Sequence, residues 1–232
     1  MTAVILQARL DSSRLPCKAL LDICGQSLIV RVMQALNNVQ SEIRILACPE
    51  DSFDDFLPLT KKNKFEIFAG SKNDVLNRYC SAIKHFGLNT KRAARVIRAT
   101  GDNPFVFADA AQKINDEAAR LNADYAGYSG LPYGAGVESV SVSALLKANE
   151  MAVSAFDREH VCPYLYNNPK TFNLHRPLAP KKWQGTNVRV TVDEESDYQN
   201  AKRLYAYLSK KSNVTNRYNG DEVISCWIDM FS

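Results

Sequence analysis

The chain has 232 residues, a formal net charge of +4 and 46% hydrophobic residues, enough for one domain with a sizeable core and an insertion but short for two. So mild a charge, with basic clusters no longer than Lys61-Lys62 with Lys64, Lys181-Lys182 and Lys210-Lys211, argues against a nucleic-acid partner, which would meet a concentrated basic face with interleaved aromatics. No run reaches the length of a membrane span, Met1 leads into an apolar segment without a signal-peptide pattern, and the six cysteines contain no C-x-x-C pair; these features read as a cytoplasmic protein with free thiols, no membrane insertion and no zinc.

Ala3-Val4-Ile5-Leu6-Gln7-Ala8 is an apolar run of strand type. It breaks into Arg9-Leu10-Asp11-Ser12-Ser13-Arg14-Leu15-Pro16-Cys17-Lys18, and residues 27–36 then read as a helix. A strand feeding a basic loop and a helix is a common cradle for a polyphosphate. No glycine precedes Gly25, so the grip falls on the side chains of Arg9, Arg14 and Lys18. A solvated surface turn would carry the same charge. The loop's place at the carboxyl end of the first strand, where open α/β sheets put their ligands, favours the anion.

Further strands are expected at 43–47, 65–69 and 93–98, alternating with helices at 51–61, 74–86 and 108–121; Pro58 should bend or end its helix. This alternation predicts an α/β fold with a mainly parallel sheet covered on both faces. Residues 128–136 form a loop rich in glycine and tyrosine. Helices follow at 143–151 and 157–167, the second disturbed by Pro163; 187–192 alternates like a strand ending at Asp193, and 195–208 reads as the closing helix. Residues 209–232 read as a polar tail with an apolar end around Trp227 and Phe231, which either joins a homodimer or packs back on the domain.

Asp102 and Asp193 stand at the ends of different strands. Two such carboxylates can converge on Mg²⁺, which takes one or two protein carboxylates and completes its shell with substrate phosphates. Each could instead cap the helix that follows, although Ser196 and Asp197 compete with Asp193 for that task.

Gln7-Ala8-Arg9, Ser12-Ser13-Arg14-Leu15-Pro16 and Lys18 resemble the opening signature of the cytidylyltransferases that activate acidic sugars, in the branch of spore coat polysaccharide biosynthesis protein SpsF. The resemblance continues in order through Gly70-Ser71, Asp74-Val75-Leu76, Arg78-Tyr79, Arg98, Thr100-Gly101-Asp102, Pro104, Val137-Glu138, Arg158-Glu159-His160-Val161, Pro163-Tyr164 and Arg189-Val190-Thr191-Val192-Asp193 with Asp197. It implies a single three-layer, Rossmann-like nucleotidyltransferase domain with a mixed sheet over residues 1–208, its acceptor-side segment at about 125–186. It also implies Mg²⁺-dependent transfer of CMP from CTP to a small anionic acceptor, with release of pyrophosphate, for a surface glycan.

By position, the resemblance makes Arg14, Lys18, Asp102 and Asp193 the catalytic set, with the two aspartates on the metal. Gln7, Ala8, Arg9, Ser12, Ser13, Arg14, Lys18, Asp74, Arg78, Thr100 and Gly101 would hold the nucleotide. The acceptor side would take Glu138, Arg158, Glu159, His160 and Arg189. An arginine such as Arg158 suits an acceptor carboxylate or phosphate; His160 is a proton relay or a structural residue. Glu138 is an acceptor ligand or a buried partner for Arg158. Tyr128 and Tyr133 line the acceptor pocket or cover the sheet.

Two positions depart from the family pattern. Cys17 stands where glycine is usual, and Gly136 where the branch usually has an acid. They keep two other readings open, a weakly catalytic nucleotide-binding paralogue and a glycosyltransferase that consumes a nucleotide-sugar. The second would normally show a D-x-D metal motif, and Gly101-Asp102-Asn103 lacks its first acid.

Overall fold

Period-two alternation in the first strand sets the architecture. In the computed structural model, which describes residues 1–185, 187–211 and 218–231, β1 (Thr2–Gln7) sends Val4 and Leu6 into one core and Ala3 and Ile5 into another, all of them fully buried. A strand apolar on both faces belongs in the middle of a covered sheet. β1 pairs in parallel with β2 (Ile43–Pro49) on one side and β4 (Arg95–Thr100) on the other, and β2 pairs in parallel with β3 (Glu66–Gly70). β6 (Glu138–Ser141) runs antiparallel beside β4 and beside β5 (Tyr125–Ala126), which pairs in parallel with β7 (Leu174–His175). The sheet order is β3-β2-β1-β4-β6-β5-β7, the mainly parallel mixed sheet that the sequence predicts.

Helices cover both faces. α1 (Leu28–Leu36), α2 (Phe53–Lys62), α4 (Ala108–Arg120), α8 (Glu195–Lys211) and α9 (Gly220–Phe231) pack on the face carrying Val4 and Leu6. α3 (Val75–His85), α5 (Val142–Met151) and α7 (Pro163–Tyr166) pack on the other, and α6 (Ala155–His160) lies against α3.

Four expectations are corrected. α2 runs through Pro58 to Lys62, because Pro58 and Asp54, whose carbonyl loses its donor, both lie on the exposed side. The helix expected at 157–167 is two short ones, parted where Val161 takes φ 72°, ahead of Pro163. Residues 187–192 form no named strand among the described residues; they run as an extended strap whose N–H groups donate to a loop rather than to the sheet. The supposed tail is largely helical: α8 extends to Lys211, and α9 buries Val223 and Cys226 against α8, α4 and the turn at Lys181–Trp183. Residues 212–217 and Ser232, within that expected tail, and Thr186 lie outside the described residues.

Candidate active site

After β1 the chain crosses to β2 on one side, while β4 enters on the other, so a crevice opens at the carboxyl ends of β1 and β4, where such sheets bind ligands. Gln7 and Thr100 end the two strands in register. Beyond them Gly101 donates its N–H to the Gln7 carbonyl at 2.8 Å, and a Cβ there would stand 2.9 Å from that of Ala8, so only glycine fits the turn. The crevice widens into a cleft of about 650 Å³.

Lys18 crosses this cleft. Its Nζ donates to the Val192 carbonyl at 2.8 Å, to Asp193 Oδ1 at 3.1 Å and to Asp102 Oδ2 at 3.4 Å. Those bonds occupy its three donors and mark one point faced by both aspartates. Arg14 Nη2 stands 3.7 Å from Asp193 Oδ1 with its side chain 68% exposed.

Neither aspartate caps a helix. α4 begins after Phe107. At α8, Asp197 Oδ2 accepts from the N–H groups of Asp193 at 2.9 Å and Glu194 at 3.3 Å, reaching back as an N3 side chain does in a capping box. That frees the Asp193 carboxylate. Arg189 then fixes it, donating to Asp193 Oδ2 at 2.8 Å and to Asp197 at 2.9 Å and 3.1 Å. Burial would lift the Asp197 carboxyl, but Arg189 and the two N–H groups outweigh it and hold the group below its ordinary value.

The strap at 187–192 closes one wall. Val190 donates to the Tyr133 carbonyl at 2.8 Å and Val192 to that of Asp102 at 2.8 Å. Gly134 takes φ +94°, and a Cβ there would meet the Thr191 nitrogen at 2.5 Å, so glycine is required where loop and strap touch. Tyr128 and Tyr133 line the cleft, with the Arg189 guanidinium 4.7 Å from the Tyr133 ring centre.

Of the residues singled out from the sequence, Gln7, Ala8, Arg9, Ser12, Ser13, Arg14, Lys18, Arg78, Thr100, Gly101, Asp102, Glu159, His160 and Asp193 line the cleft together. Glu159 comes within 3.9 Å of Arg9 Nη2, and His160 stacks edge-on against Phe156 at 4.4 Å. Asp74, Glu138, Arg158 and Arg189 do not line it. Asp74 caps α3 through the Asn77 N–H at 2.9 Å and accepts from Arg158 Nε at 2.7 Å. Glu138 therefore partners Arg98, not Arg158, and also accepts from the Tyr125 hydroxyl at 2.9 Å. Arg98, Asn103 and Thr191 line the cleft although the sequence reading gave them no role. Arg98 had a signal: it is a cation inside the apolar strand Arg95-Val96-Ile97-Arg98-Ala99, placed opposite Glu138 in register and 3.2 Å from Gln7 Oε1.

The family profile for cytidylyltransferases matches residues 3–223. The chain belongs to the cytidylyltransferase family. This cytidylyltransferase is 28% identical over 218 residues to the spore coat polysaccharide biosynthesis protein SpsF of Bacillus subtilis, covering 91% of this chain and 89% of that one. Its fold is similar to that of a cytidylyltransferase from Leptospira borgpetersenii, with a TM-score of 0.86 at 22% identity, covering 98% and 94% of the two chains. It is also similar to that of a CMP:2-keto-3-deoxy-manno-octonic acid synthetase complexed with CTP, with a TM-score of 0.66 at 15% identity, covering 88% and 98%. The protein is thus a CTP-dependent nucleotidyltransferase. None of its described helices is long and apolar enough to cross a membrane.

Proposed function

We propose that this cytidylyltransferase transfers CMP from CTP to a small anionic acceptor, an acidic sugar or a phosphorylated metabolite, with release of pyrophosphate, and that it works in the cytoplasm with Mg²⁺ to supply a surface-glycan precursor. The observation that carries the reading is the convergence of Asp102 and Asp193 on the Lys18 ammonium at the carboxyl ends of the central strands. The name of the Bacillus subtilis relative supports the glycan setting.

The donor set fits a hard divalent cation, two carboxylates facing one point with room left for phosphate oxygens. Asp102 and Asp193 would hold it, and it would neutralise phosphate charge there. The reaction asks little covalent chemistry of the protein: an acceptor oxygen bonds to the α-phosphorus as the bond to the pyrophosphate oxygen breaks. Positioning and charge neutralisation dominate. Lys18 and Arg14 hold the triphosphate, Lys18 turning donors from the carboxylates to the phosphates. Arg189 and Asp197 keep Asp193 aimed. Glu159, His160, Tyr128 and Tyr133 border the space left for the acceptor.

The test is pyrophosphate release from each nucleoside triphosphate with Mg²⁺ across a panel of acidic sugars and sugar phosphates. Release with CTP and one acceptor class is expected. Rates no higher with any acceptor than without one, or turnover of a nucleotide-sugar instead, would sink the reading.

A further inference from the structure

Arg98 carries donors that the fold does not use. It lines the cleft from β4, with its side chain 15% exposed. Its Nε donates to Gln7 Oε1 at 3.2 Å and its Nη1 to Glu138 Oε2. A guanidinium has five donors. The others, both on Nη2 among them, meet no hydrogen-bond partner in any described residue. Nη2 is not sealed in the core either, so it opens into the cleft.

The surroundings fix the direction of those donors. Glu138 stands opposite Arg98 in register, and its other oxygen accepts from the Tyr125 hydroxyl at 2.9 Å. Burial, then the Glu138 charge, lifts that hydroxyl above its ordinary value and keeps it a donor. With Gln7 at Nε and Glu138 at Nη1, the guanidinium cannot swing without breaking a bond. Place then says what it faces. β4 lies between β1 and β6. The proposed triphosphate ligands, Arg14 and Lys18, stand in the loop after β1. Arg98 reaches toward the other flank, where Glu138 follows the loop at 128–136 that borders the acceptor space. Gly136 lines the cleft there with no side chain to fill it.

We infer that Arg98 binds the anionic group of the acceptor through Nη2. Charge-assisted donors on a rigid, planar guanidinium suit the oxygens of a carboxylate or a phosphate. A neutral group in the same place forfeits the charge assistance, so Arg98 selects the acceptor by its anion. Glu138 neutralises Arg98 in part, and the site therefore selects by directed hydrogen bonds more than by net charge. The inference rests on this cleft being the CTP site and names the side chain that chooses the acceptor within it.

The experiment is calorimetric titration of inorganic phosphate, acetate and acetamide into protein saturated with Mg²⁺ and α,β-methylene-CTP, an analogue that fills the triphosphate site without releasing pyrophosphate. It compares the wild type with Arg98→Met combined with Glu138→Gln, which removes both charges and so leaves neither buried alone. Phosphate or acetate should bind the wild type at least tenfold more tightly than acetamide; phosphate marks a phosphorylated acceptor, acetate a carboxylate. The double variant should lose at least tenfold for that anion and keep α,β-methylene-CTP within threefold. The wild-type comparison stands even if the variant fails to fold. Binding of neither anion, acetamide binding as tightly as both, or anion binding unchanged in the double variant overturns the inference. So does a tenfold loss of α,β-methylene-CTP in that variant, which would place Arg98 on the nucleotide. A wild type that binds no α,β-methylene-CTP overturns both this and the proposed function; anion binding without pyrophosphate release from CTP against any acceptor overturns the proposed function alone.

Discussion

Arg158 Nε and Asp74 Oδ2 meet at 2.7 Å, joining α6 to the N-terminus of α3 across 84 residues of sequence. Asp74 spends its other oxygen on the Asn77 N–H, and Arg158 spends three more donors on the carbonyls of Asn149 and Ala152 and on Asn149 Oδ1 at the end of α5. The pair therefore fastens three helices together behind the cleft wall. Arg158→Ala should cost about 2 kcal/mol, below the full cost of breaking a buried pair because both side chains are about a quarter exposed. Urea unfolding checks the loss, and kcat/KM for CTP at saturating acceptor should stay within about threefold of wild type; a large kinetic loss with intact stability would place Arg158 on a substrate instead.

Lys18 is the opposite case. Removing a preorganised donor to developing charge costs about 3–4 kcal/mol, a fall of about 100- to 1000-fold in kcat/KM. Lys18→Ala should show it, and Asp193→Ala, which removes a carboxylate from the proposed Mg²⁺ site, should fall by a similar factor; a fall under tenfold would count against their assigned roles. Lys18→Ala also leaves Asp102 and Asp193 facing each other without the ammonium, so Mg²⁺ alone should raise the variant's melting temperature more than that of the wild type.

Asp197 gives a pH signature. Its carboxyl lies below the ordinary 3.8 in the folded protein, so the folded state binds that proton less readily than the unfolded chain. The resulting stability is fully present above the unfolded value and is lost as pH falls through the lowered one. The stability difference between wild type and Asp197→Asn should be flat from pH 8 down to about 5 and shrink below about 4. Chemical denaturation across pH reads it directly. Because Asp197 anchors Arg189, which aims Asp193, the variant should also lose activity at neutral pH.

Cys17 sits at φ 53° and ψ 26°, the left-handed region, at the start of the turn that presents Lys18. Its N–H still donates to the Leu10 carbonyl at 3.1 Å, and its carbonyl still accepts from Leu20 at 2.8 Å, so the side chain adds backbone strain without unmaking the loop. Cys17→Gly should stabilise by up to about 1 kcal/mol, the left-handed penalty less the unfolded-state freedom glycine brings. The melting temperature should then rise by about 2–3 °C.

The same residue reports on the cleft. Only Cys17 and Cys24 are exposed among the cysteines; burial pushes Cys48 up to about 11 and Cys80 to about 12, and raises Cys162 and Cys226. A thiol reagent at pH 8 should titrate two groups quickly in the native protein, and CTP with Mg²⁺ should protect the one at Cys17. Equal labelling with and without nucleotide would mean that the basic loop does not close on the triphosphate.

The sequence by itself determined the central sheet. The apolar runs in β1, β2 and β4 have nowhere to go but the middle of a covered sheet, and the helices between them carry one apolar face each. It also brought out Arg14, Lys18 and Asp102, which stand in the loops that follow β1 and β4, and Asp193, picked at the end of an expected strand that the fold replaces with the strap. Long-range pairing was decided elsewhere. β5 and β7 are two residues each, too short for periodicity to register, and the strap at 187–192 alternates like a strand yet spends its donors on a loop. Asp74, Glu138 and Arg158 look like ligand-binding residues along the chain, but each is matched by an opposite charge far away in sequence. Arg78 meets none and keeps its Nε unpaired in the cleft. Residue type and spacing fix which charges exist and near which strand end they stand; which of them are neutralised depends on helices that arrive from distant parts of the chain, and only the folded structure brings those together.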